Sequence, residues 1–297
     1  MTDKIPAADQ RQALEATHTW QRLVELRLNP VKGGFDAAHL REINRRIFQD
    51  LPGLGFDQVT PGEYRPRVLP GNDWIKTRRL ETVGVRSSVA YSAMDDEARK
   101  RLEDVLKRAD PVAYSKLSAQ DFTLTIGRLY SEVDYIHPFP DGNSRTLREF
   151  TRQLAEASGY RINWERFNQT PAGRDILYIA RDLSVNELAL PHIIHEDTKR
   201  SVILAMDQFE GNRALPDLLR DVVMVVSEPS LEDQLAPQEN VAVPAQASDG
   251  GFEEPSLEEQ LVEQDGGGYR VKVAGDPVES ERKENVPQSD DEPGLDF

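Results

Sequence analysis

Residues 137–148 read HPFPDGNSRTLR, and this stretch decides the fold because apolar residues recur at helical spacing on both sides of it. Its two prolines exclude helix and hold the chain extended, so we expect His137 at the edge of a loop. Gly142 and Asn143 then lead into the next helix, whose first backbone N–H groups and positive dipole end form an anion site. The stretch therefore predicts two helices joined by a functional loop.

Four side chains of this loop suggest transfer chemistry on a nucleotide. Arg145 and Arg148 are three residues apart and share a face of the helix beside the anion site, where two guanidiniums suit a polyphosphate. Asp141 supplies an oxygen ligand for the Mg²⁺ that usually accompanies a polyphosphate. His137 adds a group that titrates near neutrality. Taken singly, His137 is typical of a helix C-cap or loop residue, the two arginines of solvated charges, and Asp141 of a turn. Their combination in one loop indicates a nucleotide site.

The apolar residues around the loop predict a mainly α domain. Asp36 is a candidate N-cap, and the pairs Ser92 with Asp95 and Ser118 with Asp121 each mark a helix start. The predicted helices cover about 36–51, 92–107, 118–133, 144–157, 174–183 and 193–207. The predicted buried faces of the first and third are Leu40, Ile43, Ile47, Phe48 and Leu51, and Phe122, Ile126, Leu129, Tyr130 and Val133.

One stretch, between residues 60 and 88, breaks the helical pattern. Its prolines and glycines interrupt any helix, whereas Tyr64, Trp74 and Ile75 favour strands. We therefore predict a short β-hairpin flap over about 60–88 that turns near 70–73, which reads PGND.

Acidic residues concentrate at the end of the 297-residue chain. Residues 227–297 contain 19 Asp and Glu against 4 Lys and Arg, which gives −15 of the total net charge of −16. Such a segment buries too little apolar surface to offset the entropy of ordering. We expect a globular domain over 1–226 and a disordered acidic tail over 227–297. The tail repeats EPSLEDQL (228–235) as EPSLEEQL (254–261), which is either a short duplication or two copies of a linear binding motif.

The composition argues against several classes of function. Without cysteine the chain has no disulfide framework, thiol nucleophile or cysteine-ligated zinc. Apolar runs such as 222–226 are far shorter than the roughly 20 residues that span a bilayer, and the first 25 residues lack the apolar core of a signal peptide. An acidic chain with no basic stripe argues against a nucleic-acid partner. We expect a cytoplasmic protein that acts without membrane or nucleic acid.

The loop and its flanks resemble the Fic (filamentation induced by cAMP) domain family. The Fic signature, H-x-F-x-[D/E]-G-N-G-R-x-x-R, is met at every defined position of 137–148 except the second glycine, which is Ser144. Residues 33–51 are similar to the family's early helix, and 62–65, GEYR, resemble the start of its flap. The resemblance covers roughly residues 20–215.

This resemblance implies a Fic-type helical domain with a short β-hairpin flap and the activity of a protein adenylyltransferase. Such an enzyme transfers AMP from ATP to a Ser, Thr or Tyr hydroxyl of a target protein. His137 would be the general base that takes the hydroxyl proton, and Asp141 would hold the Mg²⁺ that accompanies ATP. The flap would hold an extended target segment by strand addition.

The resemblance also implies the phosphate contacts. The backbone of Gly142, Asn143 and Ser144 would surround phosphate oxygens, with the Asn143 amide added. Arg145 would contact the β-phosphate and Arg148 the γ-phosphate. Serine in place of glycine adds a Cβ and a hydroxyl, which either crowd a phosphate oxygen or donate to it. Because serine is well tolerated at a helix start, we expect the anion site to form.

Several alternatives remain open at this point. The chain could be a non-catalytic binding module that acts through its repeated tail, or a Fic enzyme that transfers another phosphate-containing group. Many Fic proteins carry an inhibitory Ser/Thr-x-x-x-Glu-Gly/Asn helix; here 280–285, SERKEN, fits the letters but lies in the tail. A separate small inhibitor protein, or none of this kind, is favoured over it. Export into another cell as a bacterial toxin or effector is the alternative to a cytoplasmic location.

Overall fold

The computed structural model describes residues 8–226 and arranges them as a mainly α fold with two small antiparallel β-sheets. The expected tail over 227–297, with its repeat and the SERKEN segment, lies outside the described residues. The α-helices are α1 (Ala8–Leu28), α2 (Ala37–Phe48), α3 (Asp96–Leu106), α4 (Pro111–Tyr114), α5 (Ala119–Ile136), α6 (Asn143–Ala157), α7 (Pro171–Ala189), α8 (Glu196–Gln208) and α9 (Leu215–Leu218). Short 3-10 helices cover Pro52–Leu54, Trp164–Phe167, Leu190–His192 and Leu219–Asp221. The strands are β1 (Trp74–Arg79), β2 (Arg86–Tyr91), β3 (Tyr160–Ile162) and β4 (Val223–Val225).

Side-chain caps fix several helix starts. Asp36 accepts a hydrogen bond from a backbone N–H in the first turn of α2 at 2.9 Å, and Ser118 does the same for α5 at 3.1 Å, which confirms both predicted N-caps. Helix α3 begins later than predicted because Asp95, and not Ser92, caps it, at 2.9 Å. The Ser92 hydroxyl donates instead to the carbonyl of Ile136 at 3.1 Å, at the end of α5.

Helix α5 packs against α3, α6, α7 and α9, and its predicted apolar face lies in the core. All five residues of that face are buried, and Leu129 is the most exposed of them at 4%. Gly127 is explained by a close approach, because a Cβ there would lie 2.7 Å from Cα of Pro216 in α9. The predicted face of α2 is buried as well. These two helices carry His137 and one wall of the loop that follows it.

The β-hairpin is present, but its turn lies at 80–85 and the prediction of a turn between the strands at 70–73 was wrong. Gly84 provides the positive φ of 68° that the turn requires. The carboxylate of Asp175 in α7 accepts from the N–H of Thr82 at 2.7 Å and from its hydroxyl at 2.6 Å. A contact with a distant helix therefore sets where the hairpin turns.

The first and last described elements were not assigned from the sequence. Helix α1 precedes the first predicted helix, packs on α2 and buries Leu26 completely. The apolar run at 222–226 forms β4, in which Val225 pairs with Tyr160 of β3. No helix within 8–226 is long and apolar enough to cross a membrane.

Candidate active site

Helix α5 ends at Ile136, and His137 directly after it adopts the left-handed conformation, with φ 48° and ψ 62°. Its N–H donates to the carbonyl of Val133 at 3.0 Å and closes the last turn. Non-glycine residues rarely adopt this conformation and cluster at functional sites when they do. The chain leaves the helix at His137 as predicted, but the residue is only 6% exposed and does not stand at an open loop edge.

Aromatic and charged side chains enclose the imidazole of His137. The ring centroid of Tyr91 lies 4.0 Å away and that of Trp74 5.3 Å away, so the hairpin covers the histidine. The Nζ atom of Lys76 lies 3.4 Å from Nε2. On the other side of the ring, Oδ1 of Asp134 lies 3.4 Å from Nδ1.

This enclosure changes the titration of His137. Burial lowers its pKa from 6.5 to about 3; the carboxylate of Asp134 opposes the shift, and the charge of Lys76 adds to it. Burial also lowers the pKa of Lys76. The expectation of titration near neutrality is therefore wrong for this enclosed state. The imidazole is neutral at physiological pH, which is the form that a general base requires.

Arg65 connects the end of α5 to the hairpin. Its Nε donates to the carbonyl of His137 at 2.7 Å, and Nη2 donates to those of Ser92 and Ile136 at 2.6 and 3.2 Å. Its guanidinium lies 3.7 Å from the ring centroid of Trp74. A cation at a helix C-terminus is favoured by the helix dipole. Arg65, from the GEYR segment, thus fixes both the histidine backbone and the ring that covers it.

The loop returns to helix at Gly142, where only glycine fits. Its φ is +70°, and an added Cβ would lie 1.9 Å from Cζ of Phe48 in α2. Asn143 then opens α6, and its carboxamide accepts from the N–H of Phe139 at 2.9 Å and donates to the carbonyl of the same residue at 2.8 Å. The amide therefore holds the loop closed at the start of α6, and a helix start of this kind can bind an anion through its first-turn N–H groups.

The two arginines of the signature are buried. Arg145 is 5% exposed, and its guanidinium donates to Glu15 at 2.7 Å and to the hydroxyl of Thr19 at 3.2 Å, both in α1. Arg148 is 4% exposed and donates to the side chain of Asn168 at 3.0 Å. The start of α6 therefore combines two cations with a helix N-terminus, and α1 already supplies one carboxylate to it.

Ser144, at the glycine position of the signature, is hydrogen-bonded to a neighbouring helix. Its hydroxyl accepts from Nη1 of Arg181 in α7 at 3.1 Å. Both residues are buried. The hydroxyl is therefore held toward α7.

Asp141 is the open residue of the loop, and its side chain is 59% exposed. Oδ1 accepts from the N–H of Gly142 at 2.6 Å, and Oδ2 lies 4.0 Å from the guanidinium of Arg145. Mg²⁺ usually binds through one or two carboxylates together with substrate phosphates and waters, so this outward carboxylate beside an anion site fits that ion. Across the described part of the chain, no three His, Cys, Asp or Glu side chains are grouped to hold a metal by themselves.

The side chains that face the imidazole were not predicted from the sequence. Asp134 precedes His137 by three residues in a helical pattern, a spacing that brings side chains together and was visible in the sequence. Trp74 and Lys76 are two apart in a strand and so share a face. Which residue that face covers depends on how the hairpin packs, and the sequence carries no local signal for it.

Known proteins are similar to the part of the chain that carries this loop. The Fic/DOC family pattern matches residues 34–155. The chain is 29% identical over 154 residues to "Protein adenylyltransferase VbhT" of Bartonella schoenbuchensis, covering 52% of this chain and 28% of that protein. It is 24% identical over 146 residues to a "Protein adenylyltransferase" of Bartonella henselae, covering 49% and 26%. The chain thus spans about a quarter of the length of these two relatives.

Among solved structures, the N-terminal Fic domain of a VirB-translocated Bep effector protein from Bartonella quintana is similar, with a TM-score of 0.48 and 20% identity over 75% of this chain and 87% of that one. The family match over 34–155 includes the whole of the loop, from His137 to Arg148. Residues 34–155 of this chain are thus a Fic/DOC family domain.

Proposed function

We propose that this chain is a protein adenylyltransferase that transfers AMP from ATP to a Ser, Thr or Tyr hydroxyl of a target protein. One observation carries the proposal: a single loop joins an enclosed histidine to a helix start that carries two buried arginines. The activity that both curated relatives are named for supports it. The partners in this proposal are the target protein and a separate small inhibitor protein.

In the proposed reaction the target hydroxyl oxygen attacks the α-phosphorus of ATP. A bond forms between that oxygen and phosphorus, the bond from phosphorus to the oxygen bridging the β-phosphate breaks, and pyrophosphate leaves. The hydroxyl proton passes to Nε2 of His137, which is the general base. A positioned base of this kind contributes about 10²- to 10⁴-fold in rate.

The start of α6 holds the phosphates in this proposal. The backbone at Gly142, Asn143 and Ser144 surrounds phosphate oxygens, and the first-turn N–H groups of the helix donate to them. Arg145 contacts the β-phosphate and Arg148 the γ-phosphate. Their charges stabilise the pyrophosphate as it leaves, which is the electrostatic part of the catalysis.

Asp141 is the residue that would hold Mg²⁺ in this proposal. The ion, when bound, neutralises charge that develops on the phosphate oxygens. The Asp141 side chain is exposed beside the start of α6, whereas Glu15 and Asp134 are paired with Arg145 and Arg181. Asp141 is therefore open to an ion that arrives with the nucleotide.

The hairpin would receive the target. In the described chain β1 pairs only with β2, so its other edge can accept an extended segment by strand addition. Lys76 stands at Nε2 of His137, where the target hydroxyl must come, so β1 or this side chain has to shift on binding. That shift moves a positive charge away from the imidazole, and the phosphates bring negative charge, so both changes raise its pKa toward the range of an effective base.

The test uses ATP labelled in turn at the α- and the γ-phosphate, with Mg²⁺ and a cell lysate. AMP transfer predicts protein labelled from the α-phosphate alone, and His137→Ala should remove that label. His192→Ala is the matched control, because it deletes an exposed imidazole and should keep the label. Label from the γ-phosphate would show phosphate transfer, and no label with the unaltered chain would favour a binding module.

A further inference from the structure

A buried chain of charges lies behind His137, on the side away from the hairpin. Arg181 of α7 is 3% exposed, and its Nε and Nη2 donate to the two carboxylate oxygens of Asp134 at 3.0 and 3.2 Å. This fork geometry fixes the carboxylate in the plane of the guanidinium. The remaining guanidinium nitrogen, Nη1, donates to the hydroxyl of Ser144 at 3.1 Å. Arg181 thus joins the end of α5 to the start of α6.

The same carboxylate is the polar neighbour of His137 on this side of the ring. Asp134 Oδ1 lies 3.4 Å from Nδ1, at the long end of hydrogen-bonding distance. Within the described chain Nδ1 is fully buried and makes no better hydrogen bond. Leaving a buried ring nitrogen without a hydrogen bond costs free energy, and the carboxylate of Asp134 is within reach to accept one from Nδ1. A small rotation of the imidazole would bring Nδ1 within ordinary hydrogen-bonding distance of this carboxylate.

We propose that Asp134 and Arg181 are positioning residues: Asp134 keeps the neutral His137 protonated on Nδ1, so that the Nε2 lone pair faces the reaction, and Arg181 holds Asp134 in place. This inference rests on the proposed function for its catalytic meaning. Which ring nitrogen of His137 carries the proton does not depend on any substrate.

The charges around the ring explain why an arginine is needed. An isolated buried carboxylate tends to take up a proton, and a protonated carboxyl would donate to Nδ1 and force the proton of the imidazole onto Nε2. Against this burial effect, the charge of Arg181 keeps the pKa of Asp134 well below its usual range. From the hairpin, Lys76 also favours an unprotonated Nε2, because an ammonium donates and cannot accept. The ring of Tyr91 packs against the imidazole at an angle of 39°.

Ser144 completes the hydrogen bonding of Arg181. A glycine at this position could not form a hydrogen bond to Arg181. The serine hydroxyl accepts one from Nη1, the guanidinium nitrogen that does not bond to Asp134. Ser144 is therefore coupled to the histidine through two buried residues. Replacing it by glycine should remove one bond to Arg181 and leave the bidentate contact with Asp134.

The test reads the protonation of both ring nitrogens by two-bond ¹H–¹⁵N NMR of ¹⁵N-histidine-labelled chain, without nucleotide, at pH 7.5. The Asp134→Asn, Arg181→Gln double variant removes both charges together and so leaves no unpaired buried ion. We expect His137 to be protonated on Nδ1 in the unaltered chain and to lose that preference in the double variant. The Ser144→Gly variant should keep the Nδ1 tautomer.

The control is the pair Arg22 and Asp50, which is bonded at 2.6 Å away from the loop. Its Arg22→Gln, Asp50→Asn variant should keep both tautomer and activity. For AMP transfer, the Asp134 and Arg181 double variant should lose at least about 10-fold in kcat, with the KM for ATP little changed, because base orientation acts on the chemical step. Circular dichroism and thermal unfolding check that the double variant folds. If it does not fold, the Asp134→Glu variant with Arg181 retained takes its place, and a smaller loss of kcat is expected from it.

An Nε2-protonated His137 in the unaltered chain would overturn the inference, and so would an unchanged tautomer and kcat in a folded double variant. If the tautomer changes as expected but the unaltered chain transfers no AMP, the proposed function fails while the positioning of His137 by these residues is upheld.

Discussion

The ammonium of Lys76 lies 3.4 Å from Nε2 of His137, the ring nitrogen that takes up the proton in the proposed reaction. The lysine comes from β1, and Trp74 of the same strand covers the ring. The hairpin therefore both encloses the base and places a positive charge against its reactive atom. In this state the imidazole is kept neutral, and a target segment must displace the lysine to reach it.

The first prediction concerns this charge. Lys76→Met keeps an unbranched side chain and removes the ammonium that lowers the pKa of His137, so the pKa should rise in the variant. Titration of the imidazole signals by NMR measures it. Lys107→Met, on the exposed end of α3, is the control and should leave the pKa unchanged. A pKa of His137 that stays the same or falls in Lys76→Met would contradict the geometry.

The second prediction concerns Gly142. Gly142→Ala meets both an unfavourable φ of +70° and the ring of Phe48, so we expect it to lower the free energy of unfolding by about 1–3 kcal/mol. Gly84→Ala is a matched control, because Gly84 has a φ of +68° and nothing within 4 Å of the added Cβ. Urea unfolding of the two variants separates the clash from the backbone strain. Equal losses would show that Phe48 moves away freely.

Much of the helical fold could be predicted because its signals are local. Asp36 and Ser118 cap the helices they were expected to cap, and the apolar period of α5 identifies its buried face. The loop after His137 was also visible as a unit. Side-chain chemistry, spacing and two prolines all lie within one short segment.

What could not be predicted depends on contacts between distant residues. The hairpin turns where Asp175 of α7 binds the N–H groups of its turn, and no local pattern marks that site. Lys76 reaches His137 only because the hairpin folds over α5. Arg181 and Ser144 meet across two helices. A polar residue in a helical pattern is equally consistent with solvent or a buried partner.

The third prediction concerns Arg148, which is buried and bonded to Asn168. Arg148→Gln should weaken ATP binding by at least about 10-fold, since a charge-assisted phosphate contact is lost, and should lower the free energy of unfolding by about 1–3 kcal/mol. Calorimetry in a His137→Ala background measures affinity without turnover. Arg128→Gln, on the exposed side of α5, is the control and should change neither quantity. Unchanged ATP affinity would remove Arg148 from the nucleotide site.

The fourth prediction is that stability falls as the pH drops below about 6.5. Burial lowers the pKa of His39, and it lowers that of His137 to about 3. In the unfolded chain both groups return to about 6.5. Below that pH the unfolded state binds protons that the native state does not, so the free energy of unfolding decreases with falling pH, by at most about 1.4 kcal/mol per pH unit for each such group.

Urea unfolding at pH 7.5 and at pH 5.0 measures this loss, and His39→Gln isolates one of the two contributions. His39 contacts the side chain of Gln153 at 3.2 Å, and glutamine keeps a polar group at the same position without a titrating ring. The variant should therefore lose less stability than the unaltered chain between the two pH values. Carboxylates contribute equally to the pH dependence of both proteins, so the difference between them reports on His39. If His39→Gln loses as much stability as the unaltered chain, His39 takes up its proton in the native state and is not held neutral by burial.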